Sequence, residues 1–355
     1  MKLAGKILAY PLFAVNMLIS VLLIISAYCS LLPPVGSWPL LSLSGLAFPI
    51  LFLANLAFLI FWLMSWKKAA LLPAATILIT LVPSIHYFPI HPHLSGEKDQ
   101  ASLTIASYNT EGFGLGKSKE RNGNNPVLQH ICSKGASIIC LQEASYEIIT
   151  AIADDSEIGK AYPYRFYDRP SGQACLSAYP IIDSYIINYP STSKGNKCQY
   201  LKIVADNDTI SVYNCHMQSN ALLQKDFEGS LEDDGFDNSM KVLKKLLKAT
   251  TLRAAQADTI AYMAANDKAG TVIVCGDFND TPLSYAHRRF DRFMTDCFAK
   301  AGNGPGFTYH EHRLFYRIDH IFCTANLVPI RCRVDRSCKL SDHYPIIAVL
   351  KQSGE

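Results

Sequence analysis

"TVIVCGDFND", Thr271–Asp280, decides the reading of the chain. Thr271–Cys275 is an apolar run of the kind that forms a buried strand, and it delivers Gly276, Asp277, Asn279 and Asp280 to its own end. Asp, Asn and Gly are ordinary turn residues. In extended chain, however, residues two apart point to the same side. Asp277 and Asn279 then face one way together and Phe278 faces the core. The result is a small oxygen-rich surface at a strand end, which suits a hard cation.

The same pattern recurs along the chain. Strand-like runs fall at 103–108, 137–141, 174–177, 181–187, 200–204, 209–214, 271–275, 318–323 and 346–350. Helical patterns lie between some of them, at 126–132, 146–153 and 239–266. This mixture predicts an α/β sandwich with mixed sheets. Polar residues stand where the strands run out. Asn109 follows the first run, in "ASYNTEG", and Glu143 the second, in "IICLQEAS". His216 lies in "VYNCHMQSN", Asp319 in "YRIDHIFCT", and Asp342 and His343 in "LSDHYP". One His or Asp at a strand end is more often structural. So many of this chemistry in one domain predict a site, since sites gather at strand ends in α/β folds.

The first 90 residues have a different character. Residues 1–96 contain no Asp or Glu, and their only Lys or Arg are Lys2, Lys6, Lys67 and Lys68. Apolar runs at about 7–32, 38–66 and 69–90 are each long enough to cross a hydrocarbon core, which takes roughly 20 residues. The expectation is a membrane anchor of three transmembrane helices (1–92), a linker (93–101) and a catalytic domain (102–355). A cleaved signal peptide followed by core helices is the competing reading, but three such runs are hard to bury in a soluble domain. Trp38, Trp62 and Trp66 lie near the ends of the second run, where interfacial aromatics belong. Asn16 and Asn55 read as helix-packing contacts. The lysines place the N-terminus and the "WKK" loop in the cytoplasm, so three crossings leave the catalytic domain on the extracytoplasmic, periplasmic side.

All 30 acidic residues lie beyond residue 96, against 29 of the 33 Lys and Arg, so the second part is nearly neutral. That excludes the footprint of a strongly basic nucleic-acid binder. Charge is uneven within it: ten Lys/Arg against five acids between Arg288 and Lys339 predict a basic rim beside Asp319 and Asp342. The acidic stretch 226–237 reads as a solvated loop, and Lys241, Lys244, Lys245 and Lys248 as a solvated helix face, which beside a bilayer could touch anionic headgroups. Arg253 is expected in solvent, Asp280 in a turn, and His320 in packing. The cysteines show neither a metal pattern nor a disulfide framework, although Cys332 with Cys338, or Cys175 with Cys198, would be possible pairs.

In order and wording, "YNTEG", "LQEAS", "ACLSAYPI", "NCHMQ", "GDFND", "RIDHIF" and "SDHYP" resemble the endonuclease/exonuclease/phosphatase superfamily with its deoxyribonuclease-like fold, over about residues 102–350. The apolar helices lie outside the family's catalytic domain, as in its membrane-anchored bacterial members, and 217–238 reads as an insertion. The resemblance implies a four-layer α/β sandwich, two mixed sheets flanked by helices. It also implies metal-assisted hydrolysis of a phosphoester, with Mg²⁺ as cofactor and Mn²⁺ as the alternative. It assigns Glu143, with Asn109 and Asp342, to the metal, and Asp277 to orienting or deprotonating the attacking water. Asn279 would hold that water or a phosphate oxygen. His343 would contact the phosphate with Asp319 behind it, and His216 would stabilise the transition state or the leaving oxygen. The expected function is a membrane-tethered phosphodiesterase of nuclease type, with nucleic acid the first substrate and phospholipid the second. The alternatives are a lipid or lipid-linked phosphoester hydrolase, and a catalytically silent binding module. No protein partner is implied.

Overall fold

Each strand-like run lies on a strand of the structure, a computed structural model that describes residues 3–36, 38–91, 102–114, 116–189, 195–205, 208–220, 235–311 and 315–353. The linker 93–101 and most of the 217–238 insertion fall outside the described residues. The strands are β1 (Ser102–Asn109), β2 (Ile138–Gln142), β3 (Tyr164–Asp168), β4 (Gln173–Ser177), β5 (Ile181–Asn188), β6 (Lys197–Ala205), β7 (Asp208–His216), β8 (Thr271–Asp277), β9 (Thr295–Asp296), β10 (Asp319–Cys323), β11 (Leu327–Val334) and β12 (Ile346–Gln352). They form two six-stranded sheets, in the orders β11-β12-β1-β2-β4-β3 and β5-β6-β7-β8-β10-β9. The pairs β1/β2 and β7/β8 are parallel and lie inside their sheets; the pairs around them are antiparallel.

Side-chain alternation makes the layers. Ile273 and Cys275 of β8 join Ile105, Ile138, Leu201 and Ile321 in the core between the sheets. Val272 and Val274 face outward, under the long helix Gly235–Ala265 and the helix Tyr285–Asp291. Ala106, Tyr108, Ile139 and Leu141 face outward on the other sheet, under Pro126–Cys132 and Tyr146–Thr150. The Pro126 helix starts where the Asn125 side chain accepts from Val127 N and Leu128 N, with Pro126 in the first turn where no N–H is needed. The result is a four-layer sandwich. Both proposed disulfides are absent, since all cysteines are free. The layers give the reason. Cys175 packs between the sheets and Cys198 outside one of them, while Cys332 and Cys338 likewise belong to different cores.

Among the described residues of the N-terminal part, two helices are long and apolar enough to cross a membrane, not three: Ala9–Leu31 and Pro39–Ser65. In the second span, short turns at Pro39–Ala47 lead into the helix Phe48–Ser65. The expected third span is instead two short helices, Leu71–Ile79 and Leu81–Tyr87, that meet at Thr80. Pro83 is the cause. It has no N–H to give the Ile79 carbonyl, and the Tyr28 hydroxyl donates to that oxygen instead, at 2.6 Å. Asn16 and Asn55 are buried and join the first two helices, Asn16 Nδ2 donating to Asn55 Oδ1 at 3.4 Å. Trp62 is buried in the same bundle, its Nε1 donating to Asn16 Oδ1 at 3.0 Å, so it does not sit at an exposed helix end with Trp38.

This helical unit is fastened to the sandwich. Leu23, Ala27, Phe48 and Tyr87 pack on Leu283. Arg317 Nη2 donates to His86 O at 3.0 Å, and Gly304 N to Pro89 O at 2.8 Å.

Candidate active site

Strand register gathers the functional side chains. In one sheet His216 pairs with Asp277 across the parallel ladder, and Asp319 pairs with Asp277 across the antiparallel one. One row therefore presents His216, Asp277 and Asp319 side by side. In the facing sheet Asn109 pairs with Gln142, and Glu143 follows immediately. Gly276 permits the close approach of β7 and β8. Its φ is +132°, and a Cβ there would collide with the Cys215 carbonyl oxygen. Beyond it, Asp277 and Asn279 face the cleft. Phe278 is fully buried against Phe290 and Phe322, a burial that contributes roughly 2–3 kcal/mol.

Asp277 is the hub. Its Oδ2 accepts from Asn109 Nδ2 (3.1 Å) and Asn279 Nδ2 (3.0 Å), and its Oδ1 from Asn279 N (2.8 Å). His343 Nε2 stands 3.8 Å from Asp277 Oδ2, and His216 Nε2 3.9 Å. Behind His343, its Nδ1 meets Asp319 Oδ2 at 2.8 Å. That bond places the proton on Nδ1 and turns Nε2 to the cleft. Asp319 is fully buried and its Oδ1 has no hydrogen-bond partner. Burial pushes the Asp277 carboxyl up to about 6, against the pull of His343 and Asn109. Burial alone would lower His343, but the Asp319 and Asp277 carboxylates outweigh it and hold the imidazolium well above its usual range. Burial also raises Asp342, with His343 pulling the other way and Glu143 adding to the rise.

Glu143 sits at the mouth with its side chain 47% exposed. Its Oε1 accepts from Asn109 Nδ2 at 3.2 Å and lies 3.5 Å from His216 Nε2. Asn109 thus bridges Glu143 and Asp277 through its amide nitrogen, while its oxygen accepts from Glu111 N at 3.2 Å. Asp342 is tied in through its backbone, its N donating to Glu111 Oε2 at 3.1 Å. Glu143 (φ +49°) and Asn279 (φ +53°) both hold left-handed backbone, which costs a non-glycine residue free energy and is found at sites that need the side chain aimed.

The cleft is about 380 Å³ and is lined by Asn109, Glu143, Asp277, Asn279, Asp342 and His343 among others, with His216 and Asp319 directly behind. All the residues singled out in the sequence therefore converge. Tyr309, which meets the His343 ring edge-on at 5.3 Å, and Tyr316 also line it and carry no local sequence signal.

The expected basic rim is not found among the described residues. Among the described residues no Lys or Arg lines the cleft. Arg317 is fully buried and stacks over Phe298 at 4.3 Å, and Arg333 pairs with Asp335 at 3.2 Å. Arg253 is not solvated either. It is buried, with Nε donating to Asp280 Oδ2 at 3.0 Å and Nη1 to Gln218 O at 3.0 Å and Asn220 Oδ1 at 2.8 Å. Helical spacing carried this signal, because Arg253 lies one turn from the buried Ala249 and Ala257. Asp280 is accordingly a charge partner as well as a turn residue. His320 is buried packing, as expected, 5.2 Å from the Phe278 ring.

Two mixed sheets packed face to face, with acids, amides and imidazoles converging at one end, define an α/β sandwich with a polar cleft where its central parallel strands run out. Residues 106–343 match the model of the Endonuclease/Exonuclease/phosphatase family, and the chain belongs to that family, whose members hydrolyse phosphoester bonds. Residues 6–87 match a domain of unknown function, DUF8431. No curated protein sequence matches. The fold is similar to D. rerio TDP2 complexed with single strand DNA product (14% identity, TM-score 0.54, covering 71% of this chain and 99% of that one). It is also similar to an endonuclease/exonuclease/phosphatase from Beutenbergia cavernae (13%, 0.53, 72% and 72%) and one from Bacteroides vulgatus (16%, 0.50, 72% and 100%).

Proposed function

We propose that the chain is a divalent-cation-dependent phosphoester hydrolase, Mg²⁺ first and Mn²⁺ the alternative. The observation that carries this reading is the His343–Asp319 pair set 3.8 Å from Asp277 inside a cleft of acids. Glu143, Asp277, Asp319 and Asp342 converge with no Lys or Arg in the described lining, and Asp319 Oδ1 is orphaned. Carboxylates gathered this closely, with Glu143 open at the mouth, fit a hard divalent cation. They also argue against a silent binding module.

Glu143, open at the mouth, would hold the cation with Asp342, and Asn109 would add its oxygen by turning its amide. The cation supplies neutralisation of the charge that develops on the phosphoryl oxygens. Asp277 orients the attacking water and takes its proton, a task suited to a carboxyl raised to about 6. Asn279 fixes Asp277 and holds that water or a phosphate oxygen. His343 donates from Nε2 to the phosphate, its charge supported by Asp319. His216 stabilises the departing oxygen.

The domain division at 1–92, 93–101 and 102–355 belongs to this proposal, as does anchoring in a membrane through the two long apolar helices. The uncharged segment 32–47, a connection plus the short turns that open the second apolar helix, and the end of the kinked pair at Tyr87 both contact the catalytic domain, through Leu46 and His86. The kinked pair, 71–87, is about 25 Å long at 1.5 Å per residue and packs along both apolar helices. This supports an extracytoplasmic catalytic domain with the lysines on the cytoplasmic side. D. rerio TDP2 is complexed with single strand DNA product, and the likeness to it supports nucleic acid as one substrate class. The test of the reaction is metal removal. Hydrolysis of bis(p-nitrophenyl) phosphate by the full-length protein should vanish in chelator and return with Mg²⁺. A rate that chelator leaves intact would sink the proposal.

A further inference from the structure

One wall of the cleft comes from outside the catalytic residues. Leu46, in the short turns that open the second long apolar helix, lines it together with Val242 and Leu246 of the long helix Gly235–Ala265. Val242 and Leu246 are four apart and share a helix face. The Tyr316 hydroxyl donates to Leu46 O at 3.3 Å, and Thr251 Oγ1 donates to Pro34 O at 3.1 Å. Gly45 lies so close to the catalytic unit that a Cβ would stand 2.9 Å from Leu283 O. This segment is therefore fixed against the site.

The same N-terminal segment carries exposed apolar side chains. Val35, Trp38 and Leu40 are exposed, and so are Ile50 and Leu53 at the start of the next helix. Lys241, Lys244 and Lys248 are on the same helix as Val242 and all three are exposed, where anionic headgroups would meet them. A groove for a polyanion would instead line its floor with Lys and Arg, and among the described residues neither lines this cleft.

We infer that the N-terminal helical unit is part of the substrate site: Leu46, Val242 and Leu246 take the apolar chain of a membrane glycerophospholipid while Asp277 and His343 meet its phosphorus. This rests on the hydrolase reading. The water oxygen forms the new P–O bond, the headgroup ester P–O bond breaks, and a water proton ends on the departing oxygen, so no further reactant is needed.

The test uses the full-length protein reconstituted in vesicles of equal parts phosphatidylethanolamine and phosphatidylglycerol, with Mg²⁺. Bis(p-nitrophenyl) phosphate and single-stranded DNA serve as water-soluble comparisons. The vesicle lipid should be cleaved. The ratio of vesicle to bis(p-nitrophenyl) phosphate turnover should fall at least about tenfold in Leu46→Glu and in Val242→Glu, because each puts a charge where an apolar chain packs. The ratio corrects for any loss of folded protein, and Leu46→Ser serves if Leu46→Glu does not fold. Intact vesicles beside cleaved DNA or soluble diester would overturn the lipid inference and leave the hydrolase reading standing. An unchanged ratio in the variants would overturn the wall assignment. If none of the substrates is cleaved, the hydrolase reading fails and the inference falls with it.

Discussion

Asp277 shows how much of the site one residue carries. It is buried, yet it takes hydrogen bonds from Asn109 and Asn279 and faces two imidazoles. Its neighbours are legible in the sequence because each stands where an apolar run ends, and a strand fixes the direction of its last side chain. Tyr309 and Tyr316 are not, because only isolated bridge pairings, Tyr309 with Tyr316 and with the distant His343, bring them to the cleft. His343→Ala should cost on the order of 10²–10⁴ in turnover without unfolding the protein, as measured by steady-state rate beside a melting curve. Glu143→Gln should mainly raise the Mg²⁺ concentration that half-saturates the rate, read from a metal titration. A simple drop in rate at unchanged metal affinity would move Glu143 off the cation.

At the scale of elements, pattern and punctuation pull in different directions. The apolar runs with clean boundaries form strands, while β11 lacks that signal because Pro329 interrupts it. The structure keeps it at a sheet edge with a register shift at that residue, where a proline is tolerated. The third apolar run has the length of a span, but Pro83 divides it. On the long helix, the Arg253–Asp280 pair fastens the helix to the turn after β8. Arg253→Ala should lower unfolding free energy by about 3–5 kcal/mol, because it strands a buried carboxylate. Thermal or denaturant melts of the detergent-solubilised variant would show it, and a wild-type midpoint would contradict the burial argument.

For the whole molecule, the helical unit and the sandwich read as separate in composition, and that contrast hides their interface. Leu283, Arg317 and Tyr316 each meet the N-terminal unit through a long-range contact that no local pattern announces. The lysine placement and this docking together predict that a reporter fused after Glu355 is active on the extracytoplasmic side. Cytoplasmic activity would reverse the orientation. The most direct measurement of the central claim is the rate of Mg²⁺-dependent bis(p-nitrophenyl) phosphate hydrolysis by full-length Asp277→Asn beside wild type. The account predicts a folded variant slowed by on the order of 10²–10⁴. A folded Asp277→Asn protein hydrolysing at the wild-type rate would contradict it.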